Sequence, residues 1–137
     1  MARPGFAAGI QTRPKTITFS ILCGAALAPF TAATLKQRMP ETGQIIGVTV
    51  NVGQRGGTHA TSTVQVQSGA TSLLATAFDV AALTPGTPVD KEGAALSAAA
   101  ASVAKDAELR VVVAVAGGTS PTWADATVQI DYVPLGD

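Results

Sequence analysis

The sequence predicts an all-β fold, a jelly-roll-like antiparallel β-sandwich of seven or eight strands behind an extended N-terminal arm. Three observations carry this. Ala, Val, Thr and Gly dominate a 137-residue chain that is 47% hydrophobic but only 4% aromatic. Val and Thr suit pleated strands, and Gly with eight prolines supplies turns. Several segments alternate apolar and polar residues with a period of two, the signature of a strand with one buried face. Finally, turn signals recur between them at spacings expected of a sandwich or closed barrel. The length suits one domain, here 16–137, with residues 1–15 as the arm.

The clearest strand is 44–52, where Ile46, Val48, Val50 and Val52 alternate with Gly47, Thr49 and Asn51. The glycine-rich stretch 53–57 follows, and 61–67 alternates again with Val64 and Val66 inward. The two are expected to form a hairpin with a loose tip. The second strong strand is 109–116, with Leu109, Val111, Val113 and Val115 on one face. After the break at 117–121, Ala126, Val128, Ile130 and Tyr132 alternate with Thr127, Gln129 and Asp131, giving a second expected hairpin. Weaker strands are expected at 16–22, 34–39 and 71–75, with loops at 39–43 and 84–88. Residues 93–107 hold an alanine run that is helical by propensity, but alanine offers little face to dock. Extended structure running into a tight turn at Lys105-Asp106-Ala107-Glu108 is the preferred reading, with a short surface helix as the alternative.

Charge is scarce, at 13% of residues, and unevenly placed. Residues 1–38 contain Arg3, Arg13, Lys15, Lys36 and Arg38 and no acid, whereas the remainder has nine acids against four bases. Such a split suggests a basic arm reaching an acidic neighbour. With two prolines and two glycines, residues 1–15 have little means of folding alone. They are therefore expected to lie against a partner, with Arg3, Pro4, Phe6, Ile10, Arg13 and Lys15 as contact residues. Trp123, the only tryptophan, is the further candidate contact, because Trp is enriched where interfaces concentrate their binding energy. The apolar run 17–28 resembles a secretory leader, but a long proline-bearing segment precedes it and its start alternates like a strand. A retained N-terminus is expected. That run is also too short to span a membrane as a helix.

The residues that carry catalysis are sparse. Cys23 is the only cysteine, so no disulfide can form within the chain, and its apolar neighbours suggest an inert thiol. His59 is the only histidine, which excludes a zinc centre made of several His and Cys ligands. It is expected as an exposed loop residue. The acids fall singly or in turns such as Asp90-Lys91-Glu92, read as a solvated loop, without the spacing of a calcium loop. The 53–57 glycines lack the Gly-Lys-Ser/Thr ending of a phosphate-binding loop. A basic stripe with stacking aromatics, which nucleic acid would need, is missing. The reading is no enzyme, no cofactor, no metal, no direct nucleic-acid partner and no membrane partner.

Four segments carry a resemblance: Thr16-Ile17-Thr18-Phe19-Ser20-Ile21, Pro40-Glu41-Thr42-Gly43-Gln44-Ile45-Ile46-Gly47-Val48, the run from Ala104 to Val113, and the run from Ala126 to Tyr132. Together they resemble the head decoration, or cement, proteins of tailed bacteriophages. The resemblance implies a jelly-roll module on the capsid exterior, assembled in the host cytoplasm, that binds across neighbouring major capsid protein subunits as a homotrimer. One turn of that pattern carries Gly where this chain has Ala107. A tail, baseplate or head-fibre module is the alternative, and a lectin-like carbohydrate-binding module, poor here in aromatic platforms, is the more distant one.

Overall fold

The computed structural model describes residues 13–21, 32–114, 119, 122–124 and 126–136. Its strands are β1 (Lys15–Ile21), β2 (Ala32–Arg38), β3 (Gly43–Asn51), β4 (Gln54–Gly56), β5 (Thr63–Ser68), β6 (Thr71–Ser72), β7 (Phe78–Asp79), β8 (Val89–Glu92), β9 (Glu108–Ala114), β10 (Thr122–Ala124) and β11 (Ala126–Pro134). Among the described residues there is no α-helix, only three short 3-10 turns. The expectation of an all-β antiparallel sandwich agrees with this architecture.

Four strands form one sheet in the order β1-β11-β3-β8, called here the first sheet. The second sheet runs β2-β9-β5-β6, with β7 also pairing β5, and β4 and β10 form a separate two-stranded ribbon. Every pairing is antiparallel. The inner faces of both large sheets feed one core. Ile17 and Phe19 of β1, Val48 and Val50 of β3, and Val128, Ile130 and Tyr132 of β11 meet Val64 and Val66 of β5 and Leu109, Val111 and Val113 of β9. Non-directional burial of apolar surface drives the two faces together.

Both expected hairpins are overturned. β3 pairs with β11 and β8, whereas β5 pairs with β9, β6 and β7 in the opposite sheet. β9 and β11 likewise lie in different sheets. A glycine-rich connection permits a hairpin but equally lets the chain cross the sandwich, and local pattern cannot distinguish the two. The expected tip at 53–57 instead contributes β4, which pairs with β10.

The phase of β3 also changes within the strand. Ile45 pairs with Tyr132 and Gly47 with Asp131, leaving Ile46 as the extra residue of a β-bulge. Ile45 is therefore buried at 2% exposure alongside Val48 and Val50, and Ile46, expected inward, is only partly buried. Weak strands 16–22 and 34–39 are realised as β1 and β2. Of 71–75 only β6 is strand, with Leu74 making a bridge to Leu96. Asp90-Lys91-Glu92, expected as a loop, is β8, paired to β3.

Residues 93–107 form neither a helix nor a single extended run. Two 3-10 turns, Gly93–Ala95 and Ala98–Ala101, alternate with bridges at Leu96 and Val103. The Ser97 amide donates to Leu73 O at 2.8 Å, and Ala75 donates to Ala95 O at 2.9 Å. Small side chains let this backbone approach the sheet closely, and those tertiary bonds override alanine's helical preference. The tight turn sits one residue earlier than expected, closed by Ala107 N to Ala104 O at 3.1 Å. Its left-handed residue is Asp106, φ 67°, a type that tolerates this region better than most.

Candidate docking surface

The predicted contact residues divide into three groups. Arg3, Pro4, Phe6 and Ile10 lie outside the described residues. Trp123 falls in β10, in register with Arg55 of β4. Arg13 and Lys15 stand where the chain enters β1, whose first residue is Lys15.

Arg13 is exposed. Lys15 Nζ lies 2.6 Å from Glu41 Oε2, and the Tyr132 hydroxyl donates to the same oxygen at 3.0 Å. Burial first, then the Glu41 contact and its charge, push the Tyr132 phenol up to about 12. Gly43 makes this packing possible, because a Cβ there would stand 2.6 Å from the Tyr132 ring and 2.9 Å from Met39 Cε. Below it, Met39 is fully buried and bonded through its backbone to Asp106 and Ala107. β1 thus begins at an anchored corner.

β1 and β2 are edge strands of opposite sheets. Gln37 Nε2 donates to Thr18 O at 2.9 Å and ties the two edges together. Arg13, Lys15, Lys36 and Arg38 therefore collect along one side of the sandwich. The outer face of the second sheet extends this basic side. Register places Lys36 opposite Arg110 and Arg38 opposite Glu108. Like charges directly across a ladder repel, and Glu108 relieves them. Its carboxylate lies 2.5 Å from Arg110 Nε and 3.8 Å from Lys36 Nζ. The Arg110 hydrogen bond, followed by the charges of Arg110, Lys36 and Arg38, outweighs desolvation and holds Glu108 below the usual carboxylate range. Asp79 stands at the far margin of this face, where it caps a 3-10 turn.

The outer face of the first sheet has the opposite sign. One cross-strand row is Thr16, Asp131, Gly47 and Glu92, and the next is Thr18, Gln129, Thr49 and Asp90. Asp131 accepts from Thr16 at 2.7 Å and Asp90 from Thr49 at 2.6 Å. Gly47 leaves a notch of about 100 Å³ flanked by Glu92 and Asp131. This face carries three carboxylates and, among the described residues, no base. Lys91, on the other side of β8, points away and donates to Thr76 O at 2.7 Å while covering the Phe78 ring.

His59 is part-buried rather than exposed. Its Nδ1 lies 2.7 Å from Ser62 Oγ and its Nε2 3.1 Å from Gly56 O. A carbonyl only accepts, so in the neutral ring Nε2 carries the proton and Nδ1 accepts from Ser62. The pair fastens the 56–62 connection, and Ser62 is fully buried. Among the described residues, no group of three or more His, Cys, Asp or Glu side chains could hold a metal ion, and no helix is long and apolar enough to cross a membrane.

The charged faces were within reach of sequence reasoning. Lys36 and Arg38 stand two apart in a strand, as do Asp90 and Glu92, and period-two spacing puts each pair on one face. What sequence lacked was the assignment of 89–92 to a strand at all. No family model matches this chain, no curated protein is significantly similar to it in sequence, and no solved structure is significantly similar to it in fold.

Proposed function

We propose that this chain is a structural virion protein that decorates a phage capsid and stabilises it by binding across neighbouring major capsid protein subunits, without catalysing a reaction. The observation that carries the reading is the collection of Arg13, Lys15, Lys36 and Arg38 along the edge from which the basic arm departs. An anchored root and a basic flank are what a clip across an acidic seam requires: the core holds position while the arm supplies reach. The segment resemblance to decoration proteins supports the same reading. So does the connectivity, because β1, β2, β3, β5, β8, β9 and β11 fall alternately in the first and second sheets. That alternation supports jelly-roll wrapping, the finer form of the sandwich proposed here.

As a homotrimer, three arms would combine weak single contacts into strong attachment through effective concentration. The test removes residues 1–12, which leaves β1 whole. Binding to purified capsids should fall at least tenfold with an unchanged melting temperature. A truncated chain that binds as tightly as the full chain would remove the arm from the function. Location at a tail or baseplate in a virion reconstruction would favour the alternative module.

A further inference from the structure

We infer that the two outer faces of the sandwich are partners for each other in different copies, the acidic face of one chain seating the basic face of a second. The inference stands without the virion reading. It starts from complementarity present in one molecule. Asp90, Glu92 and Asp131 form a carboxylate group with no base among the described residues, around a notch opened by the missing side chain of Gly47. On the opposite sheet, Lys36, Arg38 and Arg110 surround Glu108 alone. Lys36 and Arg38 are exposed, long and flexible enough to enter the notch, and an ammonium or guanidinium is the group that three carboxylates recognise.

The rest of each face is suited to contact. Thr16, Thr18, Thr49 and Gln129 on one side, and Thr34 and Gln67 on the other, are short or neutral, so covering them strips little charge of water. Four strands about 4.8 Å apart and some five residues long give a flat footprint of roughly 300 Å². That is well under the roughly 800 Å² per partner of a stable complex. The contact is therefore reversible and governed by salt, since exposed charges are screened beyond about 10 Å at 0.1 M ionic strength. Because different patches meet, the contact is heterologous, and each copy both receives and supplies a neighbour.

The experiment is a charge exchange on the full chain, read by sedimentation velocity at low and high salt. One variant carries Asp90→Lys with Glu92→Lys, and the other Lys36→Glu with Arg38→Glu. Wild type should associate with rising concentration at about 20 mM salt and dissociate at about 500 mM. Each variant alone should remain a monomer at low salt, and their equimolar mixture should co-associate into species that contain both variants in equal numbers. Neutral variants, Asp90→Asn with Glu92→Gln and Lys36→Gln with Arg38→Gln, should be monomers with native circular dichroism, which separates lost contact from lost fold. A wild type monomeric at low salt, association that survives both reversals, or a mixture that fails to pair would each overturn the inference.

Discussion

The two large sheets are alike on their inner faces and opposed on their outer ones. Inside, both present Val, Ile, Leu and aromatic side chains to one core, and exchanging them would change little in kind. Outside, the first sheet shows Asp90, Glu92 and Asp131, while the second shows Lys36, Arg38 and Arg110 about a single central acid. The difference teaches where constraint lies. Burial dictates the inner positions, whereas the outer positions are free to carry a charge pattern, and this chain, poor in charge, has sorted its few by face.

The sharpest way to break the comparison is to exchange an inner residue and an outer one. Ile130→Ala removes a fully buried side chain at the centre of the first sheet and should cost about 2–5 kcal/mol. Val112→Ala, half-buried on the outer face between Thr34 and Gln65, should cost less, about 0.5–1 kcal/mol. Urea unfolding of both variants measures the contrast, and equal losses would mean that the outer face is covered as the core is.

Next in size is the corner where the first sheet departs from regularity. Gly43→Ala forces a methyl against Tyr132 and Met39 and should cost about 1–3 kcal/mol. Tyr132→Phe should cost less, about 0.5–1.5 kcal/mol for its single hydrogen bond. The same phenol predicts a pH dependence. Its pKa is raised in the fold to about 12 from an ordinary 10.0, so the native state holds the proton longer. Its stabilisation is complete below pH 10 and is lost as pH rises towards 12. Thermal melts of wild type should fall across that window more steeply than those of Tyr132→Phe; parallel curves would refute the assignment.

The smallest effect concerns the second sheet's exposed cluster. Arg110→Ala should return the Glu108 carboxyl towards its ordinary 4.5, followed by NMR titration, with little change in stability. A Glu108 that titrates as before would mean that Lys36 and Arg38 alone depress it.

Amino-acid order by itself determined which side chains of the regular strand stretches face the core. Val64 and Val66, Leu109 to Val113, and Ala126 to Tyr132 could be read from period two, because a strand's pleat sends alternate residues to opposite faces. It also placed the basic residues ahead of the acidic ones. What it could not determine was pairing. Gly53 to Gly57 read as a hairpin tip, yet β3 and β5 belong to different sheets, since backbone hydrogen bonding is indifferent to sequence and the partner is chosen by how the whole core closes. The bulge at Ile46 depended on Asp131 and Tyr132, more than eighty residues away. β8 lay hidden because it is short and charged, and became a strand only through β3. The acidic face is assembled from β8, β3 and β11, and the basic one from β2 and β9. Tertiary structure alone decided that those distant charges would meet, because strands remote in sequence become neighbours only when the two sheets close over one core.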